Sequence, residues 1–436
     1  RWAASSFSAR RAQAVWMERG VVRANQTSFV GDEKAAVHLI RPSEMLFDGC
    51  TFSAPIGIIT YVSTDLKTPV DTDAPLRIDI HRSRLRVQRA SNLPLTGGIL
   101  IGAGTRPALD ALDPSSSSGA AQIVVSENLI ELRSARNGFT FGVLVNLTAP
   151  AVLHPVQILH NTIQGETHTG ITVVRCGARI ESNELDLELI PETGLLLCGI
   201  AVFDGEGHVL SANSVVARCT DEDLKPIGIL VVGFGKPSRT NVRSNQVRDR
   251  STPTTLFPLL AAGLPRLIGL DVENNDLQGH EVWLDETRDV VVRGNRFDTA
   301  RTIFSTTENL TLHDNVTDGP DEVGDVIVSP LSGVGRIAHN QCGRLRVRPG
   351  AVGAKEDPYR LHLADNVVRR GLDVGLPGGS PHPESRIQVL GNQAESIFVN
   401  SYDHAVVASN LAVNYAPPTL SGPSSPAPIL LHNHNV

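Results

Sequence analysis

The chain has 436 residues, a formal net charge of −7 and an isoelectric point near 6.1. This acidic balance gives no electrostatic support for nucleic-acid binding, which relies on a basic surface. No apolar run approaches the roughly 18 residues of a membrane-spanning helix. Aromatic residues make up only 4% of the chain, so aliphatic side chains must fill the large core that this length allows.

The first segment, residues 1–35, is predicted to contain a helix that caps the rest of the chain. Residues 5–23 are the only stretch with a helical pattern, because Ser5 or Ser6 can accept the first free N–H groups and an apolar stripe follows. A stack of repeats needs a cover on its open end. We therefore expect a capping helix here, with partner docking as the alternative.

An asparagine recurs from there onward in the frame apolar-x-x-Asn-x-apolar. Cys50 and Ser83 occupy the same position in two earlier copies, and the Asn residues are 128, 161, 183, 213, 245, 275, 295, 315, 340, 366, 392, 410 and 433. The frames return about every 27 residues, a period typical of solenoid repeats. Asn tolerates the left-handed backbone conformation and can bond neighbouring backbone, so each frame predicts a tight turn. Stacked amides would form a ladder.

Strands precede each frame. Ile78 and Ile80, or Ile387 and Val389, alternate with polar residues as in a strand with one buried face. A second strand, often opened by glycine, comes earlier in the repeat, as in the segment 170–174. Strands at this spacing without helices between them must stack on the next repeat, which predicts parallel sheets along an axis.

These features resemble the right-handed parallel β-helix of the pectin-lyase-like superfamily over about residues 36–433. The resemblance implies an all-β solenoid of about 14–15 coils, with the Asn ladder between the second and third sheets and the glycine-opened strands in the first sheet. The predicted domains are 1–35, the β-helix 36–415, and a Pro- and Ser-rich loop with the last strand, 416–436. The superfamily includes lyases, hydrolases and non-enzymatic surface proteins, so the fold alone does not assign an activity.

Enzymatic motifs of the superfamily are absent from this sequence. It lacks the Asn-Thr-Asp, Gly-His-Gly and Arg-Ile-Lys motifs of the inverting hydrolases and the Asp-Pro-His-Asp motif of mannuronan epimerases. Val282-Trp283-Leu284-Asp285-Glu286 resembles a pectate-lyase motif, but Glu286 replaces its His. A calcium ion at Asp285, or in the acidic loop 221–223, is the only cofactor that the sequence suggests.

Outward positions of the first sheet predict an apolar stripe. In the enzymes of the superfamily this sheet and its loops form the substrate cleft. Three interpretations stay open: the long loops cover the stripe, another subunit packs on it, or it is a groove in which sugars stack on aromatic rings. The residues predicted to bind there are Phe203, Leu230, Phe257, Trp283 and Phe304, with Arg346 and Arg348 as a basic patch facing outward.

One weaker constellation could support acid–base chemistry. Arg175 and Asp204 should be neighbours on adjacent coils, with Glu206 and His208 following. Two carboxylates near a cation could cleave a glycosidic bond at a suitable separation. A surface ion pair is the plainer interpretation. Asp204, Glu206, Arg175 and Asp285 are therefore candidate catalytic residues only if the protein is an enzyme.

Five cysteines at positions 50, 176, 198, 219 and 342 are too dispersed for a metal site and are predicted to be buried free thiols. The sequence favours a non-catalytic β-helix scaffold or binding module that contacts polysaccharide or a partner protein through its first-sheet face. The alternative is a secreted polysaccharide lyase or glycoside hydrolase. We expect a secreted, cell-surface or particle-associated protein that can form a homo-oligomer or a larger assembly.

Overall fold

The computed structural model describes residues 2–3, 5–9, 13–63, 76–88, 93–103, 121–134, 138–147, 155–191, 196–318, 324–349, 359–375, 386–399, 404–416, 429–431 and 433–435. All regular structure in these residues is β, and no helix occurs among them. The long loops expected beside the first sheet include 63–74, 102–120, 350–358 and 377–385, and these segments lie wholly or mostly outside the described residues, as does most of the Pro- and Ser-rich stretch 416–428.

The described strands are mostly short in the first half of the chain. In order they are β1 Trp2–Ala3, β2 Ser6–Ala9, β3 Val15–Asn25, β4 Ser28–Gly31, β5 Ala35–Asp48, β6 Thr51–Ala54, β7 Ile56–Ser63, β8 Leu76–His81, β9 Arg84–Val87, β10 Leu95–Ala103, β11 Ala121–Ser126, β12 Leu129–Leu132, β13 Phe139–Asn146, β14 Val156–Leu159, β15 Thr162–Thr167, β16 Thr169–Val174, β17 Ala178–Glu181, β18 Glu184–Leu189, β19 Cys198–Phe203, β20 Val209–Ser211, β21 Ser214–Cys219 and β22 Ile227–Gly233.

Four later strands, β25, β27, β29 and β31, are longer because one strand continues across two faces of its coil. The later strands are β23 Pro237–Arg243, β24 Gln246–Asp249, β25 Phe257–Glu273, β26 Asp276–Gln278, β27 Glu281–Arg293, β28 Arg296–Asp298, β29 Arg301–His313, β30 Val316–Thr317, β31 Asp325–Ala338, β32 Gln341–Pro349, β33 Arg360–Ala364, β34 Val367–Val374, β35 Arg386–Leu390, β36 Gln393–Val399, β37 His404–Ala408, β38 Leu411–Ala416, β39 Ile429–Leu431 and β40 His434–Asn435.

The chain forms two compact units, residues 1–231 with 248–256 and residues 232–247 with 257–436. Within each unit the strands pair in parallel with strands of the next coil. In the first unit β13 pairs with β16 and β16 with β19, while β15 pairs with β18 on another face. In the second, β27 pairs with β29 and β29 with β31. The predicted parallel β-helix architecture is confirmed.

The prediction of an N-terminal capping helix is wrong. Residues 6–9 and 15–25 are strands of the first coils, and β2 and β3 pair in parallel with β4 and β5. From Val15 to Glu18 exposure alternates residue by residue, so a period of two outweighs the weak helical stripe. Phe7 stacks on Phe29, and Phe29 on Phe52, with ring centroids 5.5 and 5.1 Å apart. The core therefore extends into the segment that was expected to cover it.

The asparagine ladder is confirmed within each unit. In the first, Asn128, Asn161 and Asn183 each donate a side-chain hydrogen bond to the side-chain oxygen of the next Asn, at 2.9–3.0 Å. In the second unit the same bond links each consecutive pair from Asn245 to Asn433, at 2.9–3.1 Å. Ser83 and Cys50 extend the first run toward the N-terminus, because the Cys50 N–H donates to Ser83 and the Ser83 N–H to Asn128.

In the turns whose residues are described, the left-handed residue is the one before the ladder position, not the Asn itself. His160, Ser182 and Asp314 have φ of 55°, 55° and 57°, whereas the Asn residues that follow them do not have positive φ. The Asn contributes hydrogen bonds instead. Its amide N–H groups reach the preceding coil's backbone, as Asn161 does at the Val125 carbonyl, 2.9 Å away. The same turn occurs at Gln26, which precedes Thr27, so the frame in 24–29 could have revealed the first coil.

Glycines form a second ladder inside the first unit. A Cβ on Gly170 would lie 2.6 Å from the carbonyl oxygen of Gly199, and one on Gly199 would lie 2.7 Å from that of Gly228. Both glycines are fully enclosed, and neither has positive φ. The glycines that open the first-sheet strands are therefore required by the close approach of successive backbones.

All five cysteines are buried and unpaired by disulfides, as predicted. Burial raises the pKa of Cys176 and Cys198 to about 12. The thiols are therefore protonated and behave as small apolar core residues.

Candidate functional site

The outward face of the first sheet in the second unit carries a continuous row of side chains, here called the central row. Strand register places one residue of each successive coil in this row: Leu260, Trp283, Ile303, Ile327, Arg346, Asp373 and Phe398. Trp283 and Phe398 are 38% and 40% exposed. They are five coils apart, or about 24 Å at the usual strand spacing. Asp373 is the third exposed residue of the row, so aromatic rings occupy two of its three exposed positions, and the row turns from apolar to charged after Ile327.

Trp283 is fixed by hydrogen bonds to the next coil. Its indole N–H donates to the Ser305 hydroxyl at 2.9 Å, and that hydroxyl donates to the Asp285 carboxylate at 2.5 Å. Asp285 and Ser305 are register partners, two residues beyond Trp283 and Ile303. A ring whose only polar atom is already bonded to protein keeps its apolar faces available for contact. The three side chains thus make a rigid aromatic platform beside a carboxylate.

Opposite charges alternate beside the central row. Glu281, Arg301, Asp325 and Arg344 are successive register partners in the neighbouring outward column, here called the charged row. Arg301 is paired with Glu281 at 2.9 Å, and the Glu281 side chain is only 7% exposed. The charged row therefore offers hydrogen-bonding groups of both signs along the edge of the aromatic platform.

A cavity of about 410 Å³ lies at the other end of the same face. Arg344, Arg370, Asp373, Glu395 and Phe398 are among its lining residues. Arg346, one coil before Asp373, has a buried Nε atom for which the described residues provide no acceptor. Arg348 is exposed. The predicted outward position of both Arg346 and Arg348 is confirmed, and their predicted binding role stays a prediction.

The predicted apolar stripe is only partly correct. Phe304 is fully buried and is the register partner of the buried Leu284, so the outward residue of that coil is Ile303. Phe257 is 5% exposed and its ring packs against His280 at 5.9 Å. The prediction that these two residues face outward is wrong, because a shift of one residue along a strand exchanges its two faces.

The remaining stripe residues lie where alternation placed them. Leu230 lies between the inward Ile229 and Val231 but is itself only 4% exposed. Phe203 is half-buried and aligns with Val174 of the preceding coil. Trp283 alone of the five predicted binding residues is substantially exposed. The described residues therefore form no apolar surface of the length that the five residues predicted.

The structure places the backbones of the candidate acid–base residues Arg175 and Asp204 side by side. The Arg175 N–H donates to the Phe203 carbonyl at 2.7 Å, so Arg175 and Asp204 occupy matching turn positions on adjacent coils, with φ of 64° and 48°. Glu206 is exposed. His208 is 2% exposed, and its burial lowers its pKa to about 4, with the Asp204 carboxylate opposing that shift. A buried neutral imidazole is a structural group here rather than a proton donor at neutral pH.

We predict that His208 makes the first unit sensitive to acid. Its folded pKa lies below the ordinary value, so the neutral form stabilises folding above about pH 6.5 and that stabilisation is lost as the pH falls toward 4. The full contribution is about 3 kcal/mol. Melting temperatures of wild type and His208→Gln at pH 7.5 and 5.0 measure it, and the variant should lose less stability than wild type over this interval. The exposed His160→Asn is the control, and equal pH dependence of wild type and His208→Gln would contradict the prediction.

The described residues hold no group of three His, Cys, Asp or Glu side chains arranged to bind a metal ion. In the acidic loop, the Asp223 N–H donates to the Asp221 carboxylate at 3.0 Å. Asp285 accepts from Ser305 and is one residue from a left-handed turn at Glu286, with φ of 49°. Calcium binding at either place stays a prediction.

No helix in the described part of the chain could span a membrane.

Sequence reasoning missed Ser305, Glu281 and Arg301. A signal for Ser305 was present, because Asn275, Asn295 and Asn315 are 20 residues apart and Asp285 and Ser305 have the same separation. That period places Ser305 beside Asp285 on the next coil. Glu281 and Arg301 share this separation as well, so the ladder period could have aligned both pairs.

Comparison with known proteins gives no further guide to this site. No protein-family model matches the chain. No curated protein matches it, and no solved structure does. The geometry of the fold and its exposed side chains are therefore the basis for the function proposed below.

Proposed function

We propose that this protein is a non-catalytic β-helical binding module that holds a polysaccharide along the first-sheet face of its second unit. The observation that carries the proposal is the Trp283–Ser305–Asp285 network. Sugar rings present flat apolar faces and polar edges. A ring fixed by its own N–H can stack on such a face, while the adjacent carboxylate accepts bonds from hydroxyls.

The length and polarity of the face favour an extended ligand over a small one. Trp283 and Phe398 are separated by five coils in the central row, and the charged row runs beside it with acceptors and donors in alternation. A chain of sugars could contact both rings and bond to the groups between them. A protein partner would also fit an elongated face, but the core of a protein interface is depleted in charged residues, whereas Arg346 and Asp373 lie between the two aromatic rings of the central row.

The use of the carboxylates beside Trp283 supports binding without cleavage. Glycoside hydrolysis needs two carboxyl groups facing each other across the scissile bond. Asp285 accepts from Ser305, and Glu281 is paired with Arg301, so each of these carboxylates already has a partner on the protein. A right-handed coil and membership of the pectin-lyase-like superfamily are parts of the same proposal, supported by the Asn frame. The alternative is a lyase or hydrolase that uses Asp285, or Asp204 and Glu206 with Arg175.

We predict that removing the Trp283 ring abolishes most glycan binding. Calorimetry with cellohexaose and hexagalacturonate as neutral and acidic probes should show binding of at least one by wild type. Affinity for that probe should fall about tenfold or more in Trp283→Ala and recover in part in Trp283→Phe, because the flat ring supplies the contact. Trp16→Ala is the matched control, since Trp16 is 58% exposed but lies in the first unit.

Two results would contradict this proposal. One is equal affinity of wild type and Trp283→Ala for every probe that binds. The other is release of unsaturated uronides or new reducing ends from a probe, lost on Asp285→Ala or Asp204→Ala, which would make the protein an enzyme.

A further inference from the structure

A second groove lies in the first unit, on the third sheet rather than the first. It has a volume of about 980 Å³ and crosses strands β9, β12, β15, β18 and β21. Gly165 forms part of its wall, has φ of 111° and approaches the Leu132 carbonyl so closely that no Cβ would fit. The glycine thus allows β15 to pass close to the backbone of β12 in the groove wall. No predicted site residue lies in this groove.

The groove is polar and carries its positive charges toward its two ends. Arg86 and Arg133 belong to the earlier coils, and Arg218 and Arg250 to the later ones. Its carboxylates are Glu131, Asp186 and Glu188. Four arginines against three carboxylates give the groove a positive excess in a chain whose net charge is −7. None of the described lining residues is aromatic.

Some of these charges are neutralised within the protein. Glu131 accepts from Arg84 at 2.8 and 2.9 Å and from Arg86 at 3.1 Å, and these bonds, chiefly those from Arg84, lower its pKa. Asp186 is 3.5 Å from Arg250. Arg133 and Arg218 are exposed, and neither forms an ion pair with another described residue. The cations left for a ligand therefore lie at the Arg133 and Arg218 positions.

The spacing of these two arginines selects among anionic ligands. Leu132 aligns with Gly165, Glu166 with Glu188, and Glu188 with Arg218, so about three coils separate Arg133 from Arg218. This is about 14 Å along the axis, roughly the length of a trisaccharide. Nucleic acid carries a charge every few ångströms, and Glu166 and Glu188, which lie between the two arginines in this column, would repel it, as would Asp186 in the next column. Sparse negative charges joined by hydroxyl-rich sugars suit this pattern.

We propose that this groove binds an acidic oligosaccharide whose carboxylates are separated by neutral sugars. Arg133 and Arg218 bind the carboxylates by charge-assisted hydrogen bonds, which are stronger than hydrogen bonds between neutral groups. Gln164 and Glu188, between them in the stack, bond to hydroxyls of the intervening sugars. The site is separate from the first-sheet face of the second unit and does not depend on it.

The test uses the full chain carrying Trp283→Ala, so that the first-sheet face contributes little to the signal. The probe is a hexasaccharide of alternating glucuronic acid and N-acetylglucosamine, measured by calorimetry at low salt. We expect binding that weakens about tenfold in Arg133→Gln and again in Arg218→Gln. Arg296→Gln, on β28 of the second unit, is the matched control and should leave affinity unchanged.

Three results would overturn the proposal: no binding of the probe, equal binding after its carboxyls are reduced to alcohols, or unchanged affinity in both arginine variants. A hexaglutamate peptide that binds as tightly as the hexasaccharide would overturn it in favour of an acidic protein partner. Melting temperatures verify that each variant is folded. Because Trp283 is already removed, failure here leaves the proposed function standing, and failure of the Trp283 experiment leaves this proposal standing.

Discussion

Replacing Gly170 by alanine should destabilise the first unit by about 3 kcal/mol or more. The new Cβ would lie 2.6 Å from the Gly199 carbonyl oxygen and 2.6 Å from the Leu185 Cδ2 atom, with Leu187 Cδ1 at 3.0 Å. The carbonyl belongs to the backbone of the next coil and cannot move without breaking the stack, so the cost exceeds that of ordinary overpacking. Chemical denaturation of wild type and variant measures the difference in the free energy of unfolding.

Gly207→Ala is the control for this glycine. A Cβ there meets no atom within 4 Å, although the φ of 71° makes the substitution strained. That backbone term alone costs about 1–2 kcal/mol. Gly170→Ala should therefore cost clearly more than Gly207→Ala. Equal losses would show that the close backbone approach at 170 costs no more than the strained conformation at 207, which would contradict the prediction.

Replacing Asn275 by leucine should cost the second unit about 3 kcal/mol. Asn275 is buried; it donates to the Val242 carbonyl at 2.8 Å and to Asn295 at 2.9 Å, and its oxygen accepts from the N–H and amide of Asn245 at 2.9 and 3.0 Å. Leucine removes these four hydrogen bonds from buried groups, and each group left unsatisfied costs about 1–3 kcal/mol. Thermal and urea unfolding give the loss.

The matched control is Gln278→Leu on β26, where an exposed polar side chain in the same coil is replaced by the same residue. It should change stability by less than about 0.5 kcal/mol. Asn275→Asp adds a second contrast, because it keeps the accepting oxygens but removes the donor. A loss for Asn275→Leu no larger than that for Gln278→Leu would mean that the ladder contributes little to stability.

The sequence was sufficient for the parts of the fold that repeat. The Asn frame predicts the turn because the hydrogen bonds that it needs are made to the same turn and to the adjacent coils, which carry the same frame. The glycines at 170 and 199 were recognisable because glycine recurs at the start of the first-sheet strands. The burial of the five cysteines was predictable because their dispersed positions fit no metal site. Thr27 followed the frame as well, but the weak helical stripe in 5–23 obscured it.

Tertiary structure alone decided which side chains of a strand face outward and what they meet. Phe304 and Ile303 are adjacent in sequence, and only the register with Leu284 and Trp283 sends the first into the core and the second to the surface. The third-sheet groove depends on Arg133 and Arg218, which are far apart in the chain and carry no shared motif. Stacking brings such residues to one surface, since the register of each coil on the next, and not local sequence, sets their spacing.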